Sequence, residues 1–108
     1  MTSPPRGPLE GIRVIDLTTV MLGPFSTQIL GEMGADVIKI EPPGGDIGRW
    51  TGVGKNPGMS AAYMMKGRNK RSVVLDLKLA AAKEPLRRLV ESADVFDHNI
   101  RPKAARRL

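Results

Sequence analysis

The sequence predicts an α/β protein: an open parallel sheet with helices on both faces. Three observations carry that expectation. Short runs rich in β-branched residues occur at 12–17, 37–40 and 72–77, apolar residues recur at helical spacing between them, and glycine or proline stands at the junctions. Strands alternating with helices over short links imply right-handed crossovers, and place a ligand at the carboxyl ends of the strands. Here those ends follow Leu17, Ile40, Leu77 and His98.

Along the chain, residues 1–8 hold Pro4, Pro5 and Pro8 and no apolar stretch, so they read as a flexible leader rather than a secretory signal. Residues 9–108 have the length of one domain. Ile12, Val14, Ile15 and Leu17 form strand one, bounded by Gly11 and by Thr18 and Thr19. Pro24 sits where a helix favours its first residue, Phe25, Gln28, Ile29 and Met33 follow at helical spacing, and Gly34 is a suitable stop. Val37, Ile38 and Ile40 make strand two, completing a βαβ unit.

Between Glu41 and Met59 the chain is glycine- and proline-rich, a long loop of the kind that is more often functional than idle. Ser60 is placed to cap a short helix. Val73, Val74 and Leu75 form a continuous run, which predicts a third strand buried on both faces. A helix follows over 79–92, with Leu86, Leu89 and Val90 inward. Pro85 confines its regular part to about Lys83 or Glu84 onward, because proline is tolerated only in a first turn. Val95 and Phe96 mark a fourth strand, and Pro102 opens a last helix.

Composition narrows the chemistry. Cysteine is absent and His98 is the only histidine, which removes disulfides, thiolate catalysis, a zinc site of the usual ligands and a Ser-His-Asp triad. No metal and no membrane partner is expected, and a cytoplasmic location fits. The net charge of +6 is uneven: residues 1–65 hold 5 Lys/Arg against 6 Asp/Glu, and 66–108 hold 12 against 5. A one-sided excess suggests an anionic partner. The run Lys66, Gly67, Arg68, Asn69, Lys70, Arg71 concentrates it, but aromatic residues are only 4% of the chain, which argues against nucleic acid. A solvated basic face is the plainer alternative.

The turn Met21, Leu22, Gly23, Pro24, Phe25 lacks the glycines of a dinucleotide or Walker loop, although Glu41 could imitate a ribose-binding acid. Asp16, Asp76 and Asp94 lie at strand ends or helix starts, where a carboxylate most often caps backbone donors. His98 and Asp97, as strand neighbours, point to opposite faces.

Four ordered segments resemble the amino-terminal region of the class III CoA-transferases, which include formyl-CoA and carnitine CoA-transferases and the α-methylacyl-CoA racemases. They are PLEGIRVID at 8–16 with Gly23 and Pro24, GADVIKIEPPGGD at 34–46, NKRSVVLDLK at 69–78, and ADV at 93–95 with NIRP at 99–102. Lys103, Ile100 and Pro85 depart from the pattern, which favours glycine, phenylalanine and an uninterrupted helix there.

The resemblance implies a Rossmann-like nucleotide-binding half that holds coenzyme A, whose phosphates would account for the basic second half. By it, Leu75 and Lys78 should lie beside the adenosine, Asn99, Ile100 and Arg107 should help hold the nucleotide, Met21 should face the pantetheine arm, and Arg71 is a further candidate for phosphate contact. The family's substrates are an acyl-CoA and a carboxylic acid. An aspartate attacks the thioester, and a mixed anhydride and an enzyme-bound CoA thioester follow. That aspartate is expected beyond residue 108, so the chain alone is expected to lack activity. It would be a fragment or a non-catalytic CoA-binding remnant of a transferase, or part of a racemase. Family subunits form an interlocked homodimer, and a partial chain is expected to expose apolar surface and self-associate.

Overall fold

A computed structural model describes residues 6–108. Strand β1 (Arg13–Leu17) leads into helix α1 (Leu22–Glu32) and strand β2 (Asp36–Glu41). A 3-10 turn (Ile47–Trp50) and helix α2 (Ala61–Lys66) precede strand β3 (Lys70–Val74). A second 3-10 turn (Ala80–Ala82) runs into helix α3 (Lys83–Glu91), followed by strand β4 (Val95–His98) and helix α4 (Pro102–Ala105). The strands are all parallel, in the order β3-β2-β1-β4. No helix among the described residues is long and apolar enough to cross a membrane.

Helices cover both faces, as predicted. On one, Ile15, Leu17, Ile38 and Ile40 pack with Leu86 of α3, joined by Leu75, Leu89, Val90 and Ile100. On the other, Val14, Ala35 and Val37 pack with Leu30 of α1 and with Leu9 and Ile12. The alternation along β1 and β2 follows from the period of two in a strand.

The local signals act where the sequence places them. Ser60 Oγ accepts from the Tyr63 N–H at the start of α2, and Pro102 is in the first turn of α4. The regular part of α3 begins at Lys83 with Pro85 in its first turn. At the end of α1, Gly34 has φ +103, its N–H donates to Gly31 O, and the Ala35 N–H donates to Leu30 O. That pair of bonds is a Schellman stop, and the left-handed backbone is why glycine ends the helix. Of the leader expected over 1–8, residues 1–5 lie outside the described residues. Gly7 packs against the Met33 carbonyl, and the Leu9 N–H donates to the same oxygen.

Two expectations need correction. Helix α1 starts at Leu22, and its buried residues are Pro24, Thr27 and Gln28, while Phe25, Ile29 and Met33 face outward. Apart from Leu30, the inward face is small or polar, and at Gly31 the chain passes close beneath it: a Cβ there would lie 3.1 Å from the Asn69 carbonyl oxygen. Strand β3 is an edge strand with Arg71, Ser72 and Val74 exposed, so the run at 73–75 is not buried on both faces.

Candidate functional site

The chain steps outward from β1 to β2 and β3, then returns to place β4 on the far side of β1. The loops after β1 and β4 therefore leave the sheet in opposite directions, and the crevice between them is where a parallel sheet of this kind takes a ligand. One side chain ties the two loops together. Asn99 Oδ1 accepts from the Thr19 N–H at 3.1 Å, and Asn99 Nδ2 donates to the Thr19 carbonyl at 2.8 Å. The backbone partners fix which end of the amide is oxygen, since an N–H needs an acceptor and a carbonyl needs a donor.

Thr18 is held as firmly. Its N–H and hydroxyl both donate to Asp16 Oδ1, and its carbonyl accepts from Lys39 Nζ at 2.9 Å. Val20, which follows the two threonines, has φ +74. A β-branched residue in that region costs about 1–3 kcal/mol, so the four anchored backbone groups before it keep the conformation in place.

Beneath these loops the α1 side of the sheet changes from apolar to ionic. Lys70 Nζ lies 3.0 Å from Asp16 Oδ2 and 2.8 Å from the Pro24 carbonyl, and Thr27 Oγ1 donates to the same carboxylate oxygen at 2.7 Å. Burial pushes the Asp16 carboxyl up, but hydrogen bonds from Thr18 and Thr27 and the Lys70 charge outweigh it and leave it below the usual range. Burial pushes the Lys70 amine down. Lys39 Nζ also sits 2.9 Å from Asp46 Oδ2, off the angle of a directed hydrogen bond, so that contact is one of charge.

A second buried group pins the glycine-rich loop. Arg49 grips Glu41 with two parallel bonds of 2.8 Å, its guanidinium lies 4.1 Å from the centre of the Tyr63 ring, and Glu41 also accepts from Tyr63, Ser72 and the Asp46 N–H. Burial opposes ionisation of Glu41, but Arg49, Ser72 and the Asp46 N–H prevail and push its carboxyl down to about 2. Burial and the Glu41 charge push the Tyr63 phenol up to about 12. Glu41 thus has no free oxygen for a ribose and is a structural bridge, contrary to the role its position suggested.

Three of the four cations in the basic run at 66–71 are also paired within the fold. Arg68 pairs with Glu32, Lys70 with Asp16, and Arg71 with Asp36. The asymmetry in charge between the halves is partly cancelled across the fold by acids of the first 41 residues. Lys78, Lys83, Arg101, Lys103, Arg106 and Arg107 are exposed and have no carboxylate within ion-pair distance among the described residues.

Six of the seven candidate residues follow the carboxyl ends of strands. Met21 lies after β1, Leu75 and Lys78 after β3, and Asn99, Ile100 and Arg107 after β4. Leu75 and Ile100 pack on the same α3-side core, and Asn99 is bonded to the loop that carries Met21. Strands β3 and β4 are opposite edges, so their tips are three spacings apart, roughly 14 Å at about 4.8 Å each. Arg71 stands apart from the others. It lies at the start of β3, where it forks onto Asp36 at 2.7 Å, and that pairing leaves it little to offer a phosphate at the other end of the sheet.

The strand-end aspartates serve the backbone as expected: Asp76 accepts from the Lys78 N–H and Asp94 from the Arg13 N–H. What the sequence reading missed were Thr19 and Val20. Thr18 and Thr19 after an apolar strand mark a loop start, but nothing local pairs Thr19 with a residue 80 positions away.

The model of CoA-transferase family III matches residues 9–108. The formyl-CoA:oxalate CoA-transferase of Escherichia coli is 46% identical over 99 residues, covering 90% of this chain and 24% of that protein. The succinyl-CoA–L-malate CoA-transferase beta subunit of Chloroflexus aurantiacus is 44% identical over 96 residues, covering 88% and 24%. The crystal structure of a CAIB/BAIF family protein from Brucella suis superposes with a TM-score of 0.86 at 35% identity, covering 94% of this chain and 28% of that one. The chain spans about a quarter of the length of the curated relatives it matches. With the family model matching nearly the whole chain and the parallel fold shared, this chain belongs to CoA-transferase family III.

Proposed function

We propose that the chain supplies the nucleotide half of a coenzyme A site in a transferase that moves CoA from an acyl-CoA to a carboxylic acid. The observation that carries this reading is the collection of Met21, Leu75, Lys78, Asn99, Ile100 and Arg107 in the segments after β1, β3 and β4. Lys78 and Arg107 offer the phosphates unpaired charge, Arg107 through two donors and Lys78 as a point charge. Leu75 and Ile100 offer apolar surface to the adenosine, and the turn at Met21 faces the pantetheine arm. Transferase rather than racemase chemistry is favoured because the similar curated relatives named above are transferases.

In that chemistry an aspartate carboxylate attacks the thioester carbonyl and the CoA thiolate leaves. The thiolate then attacks the aspartyl carbonyl and releases the first acid. The second acid takes the place of the thiolate and finally receives it. None of the aspartates at 16, 36, 46, 76, 94 or 97 matches the family's nucleophile, which this reading places beyond residue 108 in an interlocked, cytoplasmic homodimer.

Titration of the chain with CoA in a calorimeter tests the site. Lys78→Ala and Arg107→Ala are each expected to weaken binding about three- to tenfold, the size of one charge-assisted contact. No measurable heat with the unaltered chain would overturn the reading.

A further inference from the structure

The Asn99 side chain is the residue whose observed bonding says most about how the site works. By resemblance it belongs among the groups that hold the nucleotide, yet both ends of its amide are already used on Thr19. A third contact, from Thr19 Oγ1 at 3.4 Å, falls on the same oxygen. The side chain therefore imitates one rung of a β-ladder, donating to a carbonyl and accepting from an N–H of one residue. It does so across the topological switch, just beyond the last pair of the β1–β4 ladder, Leu17 with His98.

What that rung restrains is Val20. The two residues before it have all four backbone polar groups held by side chains: Asp16 and Lys39 hold Thr18, and Asn99 holds Thr19. Asp16 and Lys39 are buried and locked in their own ion pairs, whereas Asn99 is exposed and stands on a different loop. Val20 at φ +74 would relax toward ordinary backbone if Thr19 could rotate. Its left-handed turn sends the chain outward, so that Met21 and the uncapped start of α1 are exposed at the crevice.

We propose that Asn99 is a positioning residue: it latches the turn after β1 in its strained shape and so holds Met21 and the head of α1 toward bound coenzyme A. This rests on the CoA-binding reading above and assigns Asn99 an indirect part in it. The latch also couples the two sides of the crevice, so any shift of the loop after β4 is transmitted to the turn after β1.

The test separates latch from ligand contact. Amide hydrogen exchange at Thr19, measured without CoA, is expected to speed up at least tenfold in Asn99→Ala and to a smaller extent in Asn99→Asp, which keeps the acceptor and loses the donor. Unchanged exchange in both variants overturns the latch. In CoA titrations Asn99→Ala is expected to bind about tenfold more weakly. Adding Val20→Gly, which takes positive φ without strain, is expected to recover at least threefold of that loss. A double variant that binds no better than Asn99→Ala would mean that Asn99 touches CoA itself, and overturns the positioning role. If the unaltered chain takes up no CoA, the reading beneath falls together with the ligand half of the proposal, and the exchange result alone decides the latch.

Discussion

Lys70→Met is expected to lower the unfolding free energy of the chain by about 3–5 kcal/mol, because it leaves a buried carboxylate without its counter-charge. The side chains of Lys70 and Asp16 are 3% and 0% exposed, so solvent cannot take over the role of the missing amine. The loss has two further parts. The Pro24 carbonyl in the first turn of α1 loses a donor, and Asp16 must ionise against burial with only Thr18 and Thr27 to help. Pairing the change with Asp16→Asn removes the stranded charge and should recover a large part of the stability. The amide can still accept from Thr27 or from Thr18, though not from both as the carboxylate does. Denaturant midpoints of the two single variants and the double variant complete the cycle. A Lys70→Met loss below about 1 kcal/mol would mean the pair is no better than a surface salt bridge.

Arg49→Met is the other large effect, about 3 kcal/mol near neutral pH. It sits at the low end of the range because the Arg49 side chain is 24% exposed while Glu41 is 2% exposed. Its signature is the dependence on acidity. Folding lowers the Glu41 carboxyl from an ordinary 4.5 to about 2, so ionised Glu41 stabilises the fold fully above 4.5 and progressively less as pH falls toward 2. The linkage is on the order of 3 kcal/mol. In the variant the buried acid has lost its cation and binds a proton readily, so acidification takes little from it. The gap between the native chain and Arg49→Met should therefore close as pH is lowered from about 5 to about 2.5, followed by urea unfolding. A gap that is constant across that range would place the contribution of Arg49 in its contact with the Tyr63 ring instead.

Much of the fold was legible because it rests on local rules. Gly34, Ser60, Pro85 and Pro102 each act through the φ they permit or the donor they satisfy, and those properties do not depend on distant neighbours. The inward face of α1 was not legible in the same way. Hydropathy favours Phe25, Ile29 and Met33, but the face that packs is chosen by Thr27 bonding Asp16 and by Gly31 passing the Asn69 backbone. Nor does a run of cations reveal its partners: Lys70 and Arg71 look like a phosphate patch until the fold brings Asp16 and Asp36 to them from 54 and 35 positions away. That six of the candidate residues follow strand ends could be read from the alternation of strands and helices. The rung from Asn99 to Thr19 could not, since it exists only once β4 lies beside β1.

The division of the cations into buried partners and bare ones means that ionic strength acts on the molecule selectively. Between dilute buffer and molar salt the Debye length shrinks from roughly 30 Å to about 3 Å, which removes the pull of Lys78 and Arg107 on a distant polyanion. Lys39 and Lys70, enclosed with their carboxylates, lie where mobile ions do not enter. If the proposed coenzyme A site is as described, added salt weakens its binding while the two enclosed pairs keep their contacts.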